Sequence, residues 1–291
     1  MTSRDRQGRH LPLDAHLHTE LSHDSAVAID AYAQRALELG IAELAITDHV
    51  DFAPGAPGVG ATTFQQRERY VRDAAERWGD RGLAIRFGAE ITWDSQWAGA
   101  IRDHLSRHAY DFVIGSVHVY RDSPYAPANV GGWIAGRSLP DIVGPYFAEV
   151  AAGARTGLFD VMGHIDFVKR FLAPHVTAAD LANAPELYEP ILDALLDSGT
   201  GLELNTSGLR APAEETYPAP AVVARFRERG GEALTIGSDG HDVDHLAWAF
   251  DEAYATARAA GFASLTFRRG GGSRVTVDVP AAPNVGAGSS L

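Results

Sequence analysis

A single-domain α/β barrel of seven strand–helix units is the fold class this sequence predicts, and three observations predict it. Short apolar runs alternate with amphipathic segments along the chain, no shift in composition divides it, and 291 residues suit one α/β barrel. Repeated βα units joined by short loops imply a parallel sheet with right-handed crossovers.

The first strand is "LPLDAH" (11–16), followed by a helix over 28–40 that stops on Gly40, as a helix C-terminus should. "ELAITDH" (43–49) is the second strand, and the helix after it, 62–79, stops on Gly79. "LAIRFGAE" (83–90) and "DFVIGSVH" (111–118) are the third and fourth strands. Beside the fourth lies a long Gly/Pro-bearing loop, 119–139, placed as a rim or lid. A helix over 144–154 leads to "FDVMGH" (159–164), one over 186–199 to "GLELNTS" (201–207), and one over 220–230 to "EALTIGSDGH" (232–241). A last helix covers 246–261. The domain is drawn as 1–279, with "PAAPNVGAGSSL" (280–291) as a flexible tail.

Composition narrows the chemistry. With 45% hydrophobic and 22% charged residues the chain can bury a substantial core. Its net charge of −13 and lack of a basic run argue against a nucleic-acid partner. Of 25 basic residues only Lys169 is a lysine. No cysteine is present, so any metal must sit on imidazole and carboxylate. The start "MTSRDRQGRH" lacks a signal-peptide core, and no run of about 18 apolar residues offers a membrane span. A cytoplasmic protein with no membrane partner is expected.

The candidate functional residues recur at one structural place. His16 and His18 end the first strand, Asp48 and His49 the second, Glu90 the third, His118 the fourth, His164 the fifth, and Asp239 and His241 the seventh. In a barrel these C-terminal ends converge on one face, where active sites are built. The two-apart spacing of His16/His18 and of Asp239/His241 puts both side chains of each pair on one side of an extended chain. Each pair can chelate one metal. His10, His104, His108, His175 and His245 follow no such pattern and read as ordinary surface or hydrogen-bonded histidines.

Taken together, "DAHLHTELSHDS", "ITDHVDF", "FGAEI", "IGSVHV", "MGHIDFVKRF", "LELNTSGLR" and "IGSDGH" resemble the motifs of the polymerase and histidinol phosphatase (PHP) family of metal-dependent phosphoesterases, in that family's order. The resemblance implies a distorted, TIM-like (β/α)7 barrel carrying three divalent metals: Zn, Fe or Mn, singly or mixed. It implies a first site of His16, His18, Glu90 and Asp239. A second uses Glu90 as bridge with His118 and His164, and a third uses His49, His241 and Asp24, with His23 the alternative one residue early. Glu90, Asp239 and His241 stand as the catalytic residues. Asp14 and Asp48, beside ligands, are expected to orient imidazoles by accepting their second N–H. Arg170 and Arg210 match the phosphate-contacting arginines of histidinol-phosphatase relatives, and Lys169 is placed in solvent or on the rim.

Charge supports a phosphoryl substrate. Three divalent cations bring about +6 and Asp24, Glu90 and Asp239 about −3; a bridging hydroxide leaves about +2, which a phosphate dianion cancels. The implied mechanism is in-line attack on phosphorus by a water acidified between two cations. The leading expectation is a phosphatase of histidinol phosphate, in histidine biosynthesis. The alternatives are a phosphoesterase for another small ester such as a nucleotide or sugar phosphate, an amidohydrolase, or a non-catalytic PHP module.

Overall fold

The computed structural model describes residues 12–173, 175–268 and 274–281. Eight parallel segments form the barrel: β1 (Asp14–Leu17), β2 (Glu43–Ile46), β3 (His49–Val50), β4 (Ala84–Thr92), β5 (Phe112–Ser116), β6 (Val161–Met162), β7 (Gly201–Asn205) and β8 (Leu234–Gly237). β2 and β3 both pair with β4, so they are two halves of one interrupted strand, and the sheet runs β1-β2-β4-β5-β6-β7-β8. A parallel bridge between Leu17 and Gly240 brings β8 back to β1. The seven-stranded α/β barrel expected from the sequence is therefore the fold, distorted at the second strand and at the β8–β1 seam.

The alternation of each strand explains the two layers around it. Leu44, Ile46, Leu202, Leu204, Leu234 and Ile236 face outward into a core shared with the helices. The intervening residues of β7, Glu203 and Asn205, face the inside and are fully buried. The helix Phe64–Gly79 opens on a capping box, Thr63 with Gln66, and the helices Ile29–Leu39 and Glu189–Ser198 close on left-handed Gly40 and Gly199.

Besides short helices, a three-turn helix and a hairpin were not read from the sequence. The helix Ala98–Arg107 buries only Ile101, so its apolar stripe is too thin to register as a period. An antiparallel hairpin, β9 (Ser264–Arg268) with β10 (Arg274–Asp278), follows the last helix. Val275 and Val277 of the hairpin pack on an inner cluster of Leu13, Ala15, Ala45, Phe112, Ile114 and Val161, closing the end of the barrel opposite the site. The 119–139 loop contains a short helix, Val130–Ile134, with Arg137 stacked 3.9 Å over Trp133. No helix among the described residues is long and apolar enough to cross a membrane. His10 and the 282–291 part of the expected tail lie outside the described residues.

Candidate metal centre

The strand ends converge as the barrel requires, and Glu90 lies at their centre. Its Oε2 is 3.4 Å from both His16 Nε2 and His18 Nε2 and 3.0 Å from His49 Nδ1, while Oε1 is 3.2 Å from His118 Nε2 and 2.8 Å from His164 Nε2. One buried carboxylate thus meets five imidazoles. The broken second strand makes this possible, because it pairs His49 directly with Glu90 across β3 and β4.

Around that carboxylate the donors fall into overlapping groups: His16, His18 and Asp239; His16, Glu90 and His164; His49, Glu90 and His118; and His18, Asp24, His49 and His241. All nine residues singled out as ligands are members. In the fourth group Asp24 Oδ2 is 3.1 Å from His49 Nε2 and 3.0 Å from His241 Nε2. His23 belongs to none of these groups, its Nε2 standing 3.8 Å from Asp24.

Burial would raise the Glu90 carboxyl, but the imidazoles of His49, His118 and His16 hold it well below the ordinary carboxylate range. Burial, reinforced by His241 and His49, pushes His18 down to about 3, so the ring is neutral at neutral pH and one of its nitrogens keeps a free lone pair. His16 goes the other way: burial is outweighed by Glu203, Glu90 and Asp239, which raise it. The backbone carries strain at two of these positions. His164 (φ 24°) and Asp239 (φ 53°) sit in the left-handed region, at a cost of roughly 1–3 kcal/mol each. Such strain persists where the surroundings fix it, and both side chains are aimed into the centre.

The residues that orient the imidazoles differ from those expected. Asp14 accepts from Ser238 N (3.0 Å), Ser238 Oγ (2.6 Å) and Ala247 N (2.9 Å), and Asp48 accepts from Thr19 N (2.6 Å) and Thr19 Oγ1 (2.9 Å). Both fix backbone near the ligands, and neither takes an imidazole N–H, because their neighbours' free donors are peptide and hydroxyl groups. The imidazole partner is Glu203, whose Oε1 lies 2.6 Å from His16 Nδ1 while its Oε2 accepts from His164 N at 3.0 Å. Gly237 makes the room: a Cβ there would lie 2.4 Å from His16 Cβ and 2.5 Å from Glu203 Oε1. Thr92 Oγ1, 2.9 Å from His118 Nδ1, donates its own O–H to Asp51 and so accepts the Nδ1–H of His118, which leaves the Nε2 lone pair facing Glu90.

Glu203→Gln is expected to lower metal affinity by about 10- to 100-fold, since a neutral amide makes His16 a weaker base. Metal titration of the variant checks this, and an unchanged affinity removes Glu203 from the role.

A cavity of about 530 Å³ opens over the cluster, lined by Asp24, His49, Glu90, His118, His164, Asp239 and His241 and flanked by Arg170 and Arg210. Arg210 Nη2 donates to the carbonyls of Ser238 and Asp239, at 2.7 Å each, while its buried Nη1 has no partner. His245, read from the sequence as an ordinary histidine, lines the same cavity from the turn Val243–His245. His104 and His108 instead pack against each other beside Phe64, with ring centroids 4.4 Å apart and planes tilted by 45°, and His175 is exposed. Lys169, expected in solvent or on the rim, is only 4% exposed and is paired with Asp166 and Glu215. The turn after His164 carries Lys169 inward, onto Asp166 and Glu215, and leaves Arg170 exposed at the cavity.

Residues 14–207 match the PHP domain family. Over 257 residues the chain is 30% identical to a Deinococcus radiodurans protein named "Probable histidinol-phosphatase", covering 88% of this chain and 96% of that one. It is 24% identical to the histidinol-phosphatase of Lactococcus lactis, covering 87% and 93%. Among solved structures, that of histidinol phosphate phosphatase from Lactococcus lactis, complexed with Zn, L-histidinol and phosphate, superposes with a TM-score of 0.74 at 22% identity, covering 89% of this chain and 97% of the other. Both fold and sequence lead to one conclusion: the chain belongs to the PHP domain family.

Proposed function

We propose that this chain hydrolyses L-histidinol phosphate to L-histidinol and phosphate, with divalent transition-metal ions held by His16, His18, Asp24, His49, Glu90, His118, His164, Asp239 and His241. The observation that carries the reading is Glu90, a buried carboxylate among five imidazoles, with two arginines on the wall of the same cavity.

The residues present fit a metal. Ligand atoms about 2.0–2.1 Å from one tetrahedral zinc lie about 3.3 Å apart. The separations of His16 Nε2 and His18 Nε2 from each other, from Glu90 Oε2 and from Asp239 Oδ1 run from 3.0 to 3.7 Å. His49 Nδ1 and Glu90 Oε2 are also buried without a hydrogen-bond partner, as donor atoms awaiting a cation are. The shared position of Glu90 in two groups supports a bridging role and more than one ion. A cysteine-free set of imidazole and carboxylate suits Zn, Fe or Mn.

When bound, such cations supply Lewis-acid activation of water and neutralise phosphoryl oxygens. The chain itself binds, orients and shields. Arg210, its Nη1 unpaired, and Arg170, exposed beside it, present guanidinium groups to the non-bridging oxygens of a phosphate. A water oxygen forms the new bond to phosphorus as the bond to the alcohol oxygen breaks, and the alcohol leaves with a proton. The cavity has the volume of a small-molecule site.

The named activity of the relatives, matched over nearly their whole length, supports histidinol phosphate as the ester. Phosphate release from histidinol phosphate, nucleotides and sugar phosphates tests it. We expect kcat/KM for histidinol phosphate to exceed the others at least about tenfold, or ~1.4 kcal/mol; faster turnover of a nucleotide or sugar phosphate assigns the site to that ester instead.

A further inference from the structure

We propose that Lys169 is a positioning residue for phosphate recognition: a buried clasp that holds the Arg170-bearing turn against the segment following Arg210, so that the two guanidinium groups face one phosphoryl group. The proposal rests on the reading of Arg170 and Arg210 given above and adds the residue that sets their spacing.

Lys169 Nζ lies 2.9 Å from Asp166 Oδ2, 2.9 Å from Glu215 Oε2 and 3.1 Å from the carbonyl of Thr216. Three acceptors use all three of its N–H donors. Asp166 belongs to the same turn as Lys169 and is fully buried, its Oδ2 also accepting from Tyr188 at 2.8 Å. Glu215 and Thr216 belong to the other segment. That segment leaves the barrel at Asn205, passes through the turn Thr206–Arg210, and returns to pair Tyr217 with Asn205. The clasp therefore joins the two arginine-bearing excursions, just before the second returns to β7 at Tyr217.

The arginines need such a joint unequally. Arg210 is tethered to the carbonyls of Ser238 and Asp239. Arg170 is exposed, 5.8 Å over the Phe167 ring, and follows Lys169 directly in the chain. Like charges repel, and both guanidinium groups line one cavity. Holding both at one cavity requires a link that opposes their separation.

Residue choice agrees. Of 25 basic residues, the other 24 are arginines, and the one lysine stands here. A compact ammonium meets three acceptors around a point, whereas a planar guanidinium spreads its donors in a fork.

The test measures histidinol phosphate turnover, inhibition by inorganic phosphate, metal content and thermal stability of the full-length holoenzyme and its variants. Lys169→Met should raise KM and the phosphate Ki about tenfold while kcat stays within about threefold and metal content is unchanged. In the Arg170→Ala background, Lys169→Met should add little, because the group it positions is gone. Lys169→Arg should recover less than half of the lost phosphate affinity. A phosphate Ki within twofold of wild type, or full additivity with Arg170→Ala, overturns the clasp. Should Lys169→Met fail to fold with Asp166 left unpaired, Asp166→Asn/Lys169→Met removes both charges, and an unchanged Ki in that soluble variant overturns it equally. Wild-type Ki in Arg170→Ala and Arg210→Ala themselves would instead overturn the assignment of both arginines, and the clasp with it.

Discussion

Glu90→Gln is expected to lower kcat/KM for phosphate-ester hydrolysis about 1,000-fold or more, ~4 kcal/mol of transition-state stabilisation, and to reduce bound metal. The amide keeps the shape of the side chain and removes its charge. At this position both oxygens face imidazoles, Oε1 toward His118 and His164, Oε2 toward His16, His18 and His49. An amide NH₂ would point a donor at lone pairs intended for a cation. His23→Ala is the paired control, since His23 borders the cluster without joining it, and should change kcat/KM less than about threefold. Equal losses in the two variants would mean that the grouping around Asp24 is misassigned.

Arg210→Ala should cost about 30- to 1,000-fold in kcat/KM, roughly 2–4 kcal/mol, if its free Nη1 grips a phosphoryl oxygen. The structure adds a second route to the loss. Arg210 Nη2 bonds the carbonyls of Ser238 and Asp239, on either side of the Asp239 Cα, and Asp239 is one of the strained residues. Part of the effect then passes through Asp239, and the inhibition constant of inorganic phosphate, read beside metal content, separates the two. Arg210→Lys should restore only part of the activity, because an ammonium keeps the charge but cannot present the planar fork of a guanidinium. A loss under about threefold leaves Arg210 on the rim.

The candidate ligand set was legible in the sequence because a barrel turns distant strand ends into neighbours, and every expected strand but one ends in an imidazole or carboxylate. His16 and His18 share a donor group as their spacing implies, whereas Asp239 and His241 fall in different groups, because β8 ends at Gly237 and Asp239 takes a left-handed backbone, so the chain is not extended there. Glu203 was not legible. It stands in mid-strand, in "GLELN", where an acid could equally face solvent, and only the inward face of β7 and the gap at Gly237 show that it meets His16. The roles of Asp14 and Asp48 were misread because sequence adjacency to a ligand does not say which donor lies within reach. Lys169 and His245 were misplaced for a related reason: each lies in a turn beyond a strand end, whose path depends on tertiary contacts. The hairpin β9–β10 has clear alternation, but nothing in the βα rhythm predicts an antiparallel pair beneath the barrel.

Metal analysis coupled to activity tests the central claim most directly. Purified protein should hold two to three transition-metal ions per chain; a chelator should remove them, abolish phosphate release and lower Tm, since ions bound only by the folded chain stabilise it. Zn, Fe or Mn added back should restore both activity and Tm. Full phosphatase activity in protein that elemental analysis shows to be free of metal would contradict the account.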